Sequence, residues 1–317
     1  MMKISVVVPV YNTSKYLRRC LDSLVNQSLK DIEIIIINDK STDNSKDIIK
    51  EYENKYQNIK VIHNKTNKGI GYNRNLGIEI ASGKYIAFVD SDDYIDLNLY
   101  QKMHEYSEEE KLDLCICDLK KVDEEGNLIG YEKIEEFETN NLRTNPKLLL
   151  DINMGPTNKL FSKTLFDEET KFSEIYKYED LAVLPKLIAK SKKIGKVSGV
   201  FYNYVIHSNS ETTTMDKRVF DIFCVLDIVN KDLKNINYYN EIYEYIEYLN
   251  IRTIFRYTLQ QKYQKEKKVK EQFIENAFTY LDINFPNWRK NKLWHKRNYF
   301  KRLIEGNKTL TKLYCLL

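Results

Sequence analysis

Three aspartates, Asp90, Asp92 and Asp93, fall within four residues directly after the apolar run "YIAFV" (Tyr85–Val89). Like charges at that spacing repel, so the cluster is either a hydrated turn or the seat of a bound cation. A hard divalent cation takes oxygen ligands and bridges carboxylates to phosphate oxygens, where it neutralises a diphosphate and stabilises the charge that develops as it departs. Asp39 ends another apolar run with a lone carboxylate, which could accept a hydrogen bond from a base N–H or a ribose hydroxyl. Together these residues describe a site for a nucleoside diphosphate attached to something transferable.

Such residues must be delivered by the elements around them. "ISVVVPV" (Ile4–Val10) and "IEIIIIND" (Ile32–Asp39) are continuous apolar runs, as in strands covered on both faces. Between them Leu17, Cys20, Leu21, Leu24 and Val25 recur at helical spacing, with Thr13 or Ser14 as the cap. A helix over 43–56, a strand at Ile59–Asn64, a helix over 71–81 and a strand at Tyr85–Asp90 continue the alternation. Asp113–Asp118 reads as a further strand, with a hairpin turn at Asp123–Leu128. The pattern predicts an α/β fold: a Rossmann-like, mostly parallel sheet with helices on both faces. Ligands of such sheets bind beyond the carboxyl ends of the strands. Tyr11 and Asn12, Asn38 and Asp39, Asn64, and Asp90 to Asp93 would then line one rim.

The chemistry has limits. The first turn, "PVYNTSKY", carries no glycine, so the dinucleotide motif GxGxxG is missing, and there is no Walker A lysine motif. With 42% hydrophobic and 30% charged residues, the 317-residue chain is globular, and its net charge of +4 is too small to argue for nucleic acid. The five cysteines form no CxxC pair, and Cys115 and Cys117 read as small buried strand residues. No basic-then-apolar leader is present, and no apolar run approaches the ~20 residues that span a bilayer. A cytoplasmic protein, at most peripheral to a membrane, is the expectation.

"SVVVPVYN", "IIIINDKSTDNS", "NKGIGYNRNLGIEIASGKYIAFVDSDD" and the later "KYEDLAVLPKLIAKSKKI" resemble the inverting family 2 glycosyltransferases of the GT-A fold. "NKLFSK" (158–163) and "YNYVIHSNSETT" (202–213) extend the likeness. The resemblance implies a UDP-sugar donor, a Mn²⁺ or Mg²⁺ cofactor, and transfer of a hexose or N-acetylhexosamine to a hydroxyl of a glycan or lipid-linked glycan, as in bacterial surface polysaccharide or lipooligosaccharide assembly. It implies that Pro9, Val10 and Tyr11 flank the uracil ring while Asp39 bonds its imide N–H. Asn67 and Arg74, in the run N-x-G-x-x-x-x-R-N-x-G, would reach the nucleotide; otherwise Arg74 is a solvated helix residue. Asp90-Ser91-Asp92 takes the place of the DXD motif, with Asp92 and Asp90 at the metal and Asp90 also near ribose, while Asp93 orients the turn. Asp180 becomes the catalytic base and Glu179 holds a sugar hydroxyl, although two acids there would also suit a helix N-terminus on their own. His207 is placed near the diphosphate or metal, or else on the surface, and Lys159 falls on the acceptor side. Two positions depart from the pattern: Lys40 replaces the common glycine after Asp39, and Asn73 the usual alanine.

The expected organisation is a catalytic domain over 1–214, with a nucleotide-sugar half to about 118 and an acceptor half over 119–214, then a helical domain over 215–317. In the latter, Ile242, Tyr245, Ile246 and Leu249 follow helical spacing. Its segment 287–302 carries seven Lys/Arg, two Trp and no acid. That composition suits an anionic membrane surface, or a helix packed through its aromatics, and more weakly nucleic acid, which is not expected as a partner. Two other functions compete: a polyprenyl-phosphate sugar synthase, and a nucleotide-sugar-binding scaffold without catalysis. The lack of spanning segments weighs against the first, and the intact Asp39, Asp92 and Asp180 against the second.

Overall fold

The structure, a computed structural model, describes residues 2–174, 177–207 and 217–316. The chain begins with β1 (Ile4–Val10), α1 (Ser14–Val25), β2 (Ile32–Asn38), α2 (Ser45–Lys55), β3 (Ile59–His63), α3 (Ile70–Ile80) and β4 (Tyr85–Phe88). These four strands are parallel, in the order β3-β2-β1-β4. Every residue of β1 and β2 is buried, because helices cover both faces. Even-numbered residues of β1 (Val6, Val8) pack with Leu17, Leu21 and Ile48 from α1 and α2. Val7 of β1 and Ile35 and Ile37 of β2 look the other way.

Beyond β4 the sheet changes character. The chain adds β5 (Tyr94–Ile95), α4 (Leu99–Glu110), β6 (Leu114–Val122), β7 (Leu128–Glu132), α5 (Leu148–Asp151), β8 (Lys159–Ser162), α6 (Glu179–Lys190) and β9 (Ile194–Val205). β8 inserts between β4 and β6 and is antiparallel to both, while β6 and β9 run parallel and β5 closes the far edge. β6 and β7 form the hairpin predicted around Asp123–Leu128. Cys115 and Cys117 are buried free thiols on β6, as read from the sequence. β2 ends at Asn38 and β4 at Phe88, so Asp39 and Asp90 sit just past the strands that deliver them.

The remaining helices are α7 (Asp221–Lys234), α8 (Tyr239–Gln260), α9 (Lys267–Asn284), α10 (Lys292–His295), α11 (Tyr299–Gly306) and α12 (Lys308–Leu316). Val229 and Leu233 of α7 and Ile242, Ile246 and Leu249 of α8 share one core with Val183 and Leu184 of α6 and Phe88 of β4. The expected boundary near Thr214 lies outside the described residues. A third cluster joins α7, α8 and α9 around Phe255, Phe273 and Trp288.

Candidate active site

The first two loops of the rim are stitched to one another. Asn12 takes a left-handed conformation (φ 53°), accepts the Thr42 amide at 2.7 Å and donates its own amide to Ser41 Oγ at 3.1 Å. Thr13 holds the N-cap position of α1, as expected, but makes no side-chain cap bond. Asp43 accepts the Ser14 amide at 2.8 Å, while Thr13 turns its hydroxyl to Ser91 Oγ at 2.9 Å. Pro9 and Val10 are buried at the end of β1, and Tyr11 is half exposed on the rim.

Asp39 is buried and organises the loop after β3. Its carboxylate accepts the backbone amides of Lys68 and Gly69, each at 2.8 Å, and Asn64 Nδ2 at 2.8 Å. The same Asn64 amide donates to Asn73 Oδ1 at 2.7 Å, so the asparagine that departs from the family pattern is wired to Asp39. The other departure, Lys40, stands at φ 62°, a left-handed region where glycine carries no Cβ penalty. Asn67 is exposed on this loop.

Arg74 is not a solvated helix residue. Only 3% exposed, it donates to Asp90 Oδ1 at 3.0 Å and to Glu179 Oε1 at 2.7 Å, and it lies over the Phe172 ring. α3 comes close enough for this because Gly77 lets it settle on Val7 and Gly71 leaves no Cβ to collide with the Ser173 carbonyl. Arg74 thereby joins the end of β4 to the start of α6. Tyr178 enters α6 with φ 69°, an unusual conformation for a large side chain, and Glu179 and Asp180 form the first turn. Asp180 also accepts the Leu181 amide at 2.7 Å.

The electrostatics of this turn follow from crowding. Burial and then the Asp180 charge push the Glu179 carboxyl above its usual range. Burial also raises Asp180, with the Arg74 cation opposing it. Nearby, Lys159 of β8 is buried with its ammonium on Asn153 Oδ1, Gly155 O and Asn158 Oδ1 at 2.7, 2.6 and 2.7 Å. Burial among these neutral acceptors lowers it to about 7.

His207 is not a surface histidine. Its Nε2 lies 2.8 Å from Asp92 Oδ2, its ring stacks on Tyr16 at 4.8 Å, and its side chain is 7% exposed. Burial and the Asp90 charge raise the Asp92 carboxyl. Asp93 faces inward and accepts Tyr202 Oη at 2.7 Å and the Val205 amide at 2.8 Å, which ties the aspartate turn to β9. Ser91 is buried between them and accepts from Thr13. The structure thus gathers Asp90, Asp92, Arg74, Glu179, Asp180 and His207, while Asp39 fixes the loop after β3 on which Asn67 is exposed. Sequence reasoning missed Tyr16, whose helical spacing gave no sign of the stack. It quoted Tyr202 within a motif without giving it a role.

The basic segment 287–302 resolves differently along its length. Trp288 is buried beside Phe255 and Phe278 and Trp294 against Trp288, with indole N–H groups on Asp282 and Glu305 at 2.9 and 3.2 Å. These rings are core residues, so they cannot be the ones that meet a membrane.

Residues 5–169 match the sequence profile of "Glycosyl transferase family 2". A poly(ribitol-phosphate) beta-glucosyltransferase of Bacillus spizizenii is 38% identical over 66% of this chain, which spans 33% of that protein's length. Glycosyltransferase GlyG of Streptococcus pneumoniae is 32% identical over 74% of this chain and 79% of its own. The crystal structure of Staphylococcus aureus TarS 1–349 in complex with UDP-GlcNAc superposes with a TM-score of 0.80 at 22% identity, covering 99% of this chain and 90% of that one, which establishes the shared fold. Profile, relatives and fold agree: the chain belongs to glycosyl transferase family 2.

Proposed function

We propose that this chain transfers a hexose or N-acetylhexosamine from a UDP-sugar to a hydroxyl of a surface-glycan acceptor, with inversion at the anomeric carbon. The observation that carries this reading is the Arg74 bridge between Asp90, on the aspartate turn, and Glu179, beside Asp180. It sets a donor-binding rim against a carboxylate pair, the arrangement a displacement at a sugar carbon requires. The relatives acting on poly(ribitol-phosphate) favour an anionic cell-wall polymer as the acceptor class.

In this reading Pro9, Val10, Tyr11 and Asp39 hold the uridine. Asp39 accepts Lys68 and Asn64 on Oδ1 and Gly69 on Oδ2, which fixes the loop bearing Asn67 and leaves one lone pair on Oδ2 for the base. Asp180 accepts the proton of the acceptor hydroxyl as that oxygen bonds to the anomeric carbon. The bond from that carbon to the UDP oxygen breaks, and UDP leaves with the electron pair. Glu179, fixed by Arg74, orients a sugar hydroxyl.

A divalent cation fits the donor set, because the Asp92 carboxylate and the His207 imidazole converge, with Nε2 2.8 Å from Oδ2. No group of three or more His, Cys, Asp or Glu side chains suited to a metal occurs among the described residues, so the diphosphate oxygens would supply further ligands. When bound, the cation neutralises the diphosphate and eases its departure. The test is UDP release from a panel of UDP-, GDP- and dTDP-sugars, with Mn²⁺ and with EDTA. Metal-dependent release from one UDP-sugar supports the reading; no release and no UDP binding by calorimetry sinks it.

A further inference from the structure

α11 and α12 carry large apolar side chains that the fold leaves outside. Tyr299, Phe300 and Leu303 of α11 are 60%, 74% and 42% exposed, and Leu310 and Leu313 of α12 are 39% and 54% exposed. On α11 those three positions lie on the face opposite Glu305, which is buried and paired to Arg297 at 2.9 Å. On α12 they lie away from Thr311 and Cys315, both buried. Each short helix is therefore anchored by one face and presents an apolar opposite face. Exposed apolar surface concentrated in this way marks an interaction site.

The charge around the patch narrows what meets it. Residues 287–316 contain nine Lys/Arg and a single acid, Glu305, which is already neutralised inside the fold. Lys296, just before α11, and Lys301, on it, are exposed, whereas Lys308 and Lys312 of α12 are paired with Glu275 of α9 at 2.6 and 2.5 Å. A second copy of the α11 face would set Lys296 and Lys301 against their like, with Glu275 and Glu305 already paired within the fold. A nucleic acid would use the cations but has no need of exposed leucines. A bilayer with anionic headgroups uses both, with the rings and leucines at the acyl boundary and the lysines at the lipid phosphates.

We propose that the α11–α12 face, rather than the tryptophans of 287–302, docks this protein on an anionic membrane surface. The proposal is independent of the sugar chemistry, because binding is read without donor or acceptor. The experiment is co-sedimentation of the whole chain with phosphatidylcholine vesicles, with and without about a third phosphatidylglycerol, at low and high salt. Wild-type protein is expected on the anionic vesicles at low salt only. Phe300→Ser with Leu313→Ser should weaken binding more than tenfold, and Lys301→Glu about fivefold or more. Unchanged thermal midpoints and UDP-sugar hydrolysis in these variants show that folding and the active site are intact. The proposal fails if wild-type protein ignores anionic vesicles or if the folded variants bind them as well as it does. It also fails if the substitutions instead abolish self-association in light scattering or binding to duplex DNA.

Discussion

Arg74 donates to Glu179 at 2.7 Å across 105 residues of sequence, and its other amino group reaches Asp90 at 3.0 Å. One buried guanidinium therefore sets the spacing between the end of β4 and the first turn of α6. Removing it leaves two carboxylates facing each other in a recessed site. Arg74→Met should cost about 3–5 kcal/mol in urea denaturation, as expected when one partner of a buried ion pair is lost. Arg74→Lys keeps the charge but not the two-pronged geometry, and should lower kcat/KM by about a hundredfold.

Asp180 must be ionised to accept a proton. Its carboxyl is held above the ordinary range by burial, so the rate should fall, as pH drops, at a higher pH than the ~3.9 of a free aspartate. Arg74 favours the ionised form, so Arg74→Lys, with its charge less well placed, should move this acid limb further up in pH. The profile of kcat against pH at saturating donor reads both shifts. A limb at the free-aspartate value would contradict the assignment.

Glu33 anchors the opposite end of the sheet. Burial alone would raise its carboxyl, but Lys60, Ser5 and Ser82 hold it down at about 2. Lys60 Nζ lies 2.6 Å away and Ser82's amide 2.6 Å away. A depressed carboxyl stabilises the fold above its unfolded pKa of about 4.3, and that contribution is lost as pH falls towards 2. Because Lys60 is half exposed, Glu33→Gln should cost only about 2 kcal/mol at pH 7, and the difference from wild type should vanish in acid. Denaturation at pH 7, 3 and 2 checks this, with the difference reduced to about half at pH 3 and nearly gone at pH 2.

Lys40, at φ 62°, bears a side chain where the backbone favours none. Lys40→Gly should stabilise the chain by about 1 kcal/mol if relief of the Cβ clash exceeds the added freedom of the unfolded chain. UDP affinity should stay within about twofold, since Asp39 keeps its partners on the loop after β3. Thermal unfolding and calorimetry measure the two effects.

The parallel half of the sheet was legible because β1 and β2 are buried on both faces and so read as unbroken apolar runs. The aspartate turn was legible for a related reason: a buried strand ends abruptly in acids. The pairing of β8 with β4 and β6 was not, since four residues with a lysine at their head show no period. Arg74 with Glu179, and His207 with Asp92 across 115 residues, are long-range contacts that motif spacing does not encode. In 287–302, composition showed aromatics among cations but could not say which face turned inward. The structure buries Trp288 and Trp294 and leaves Tyr299 and Phe300 outside.

The central claim is that Asp180 takes the acceptor's proton in a site whose donor half is built separately. The most direct measurement is single-turnover transfer by Asp180→Asn beside wild type, with UDP-sugar affinity measured by calorimetry on the same samples. The account predicts donor affinity within about twofold of wild type and a transfer rate lower by ~10²–10⁴. Near-wild-type transfer by a correctly folded Asp180→Asn protein would contradict it.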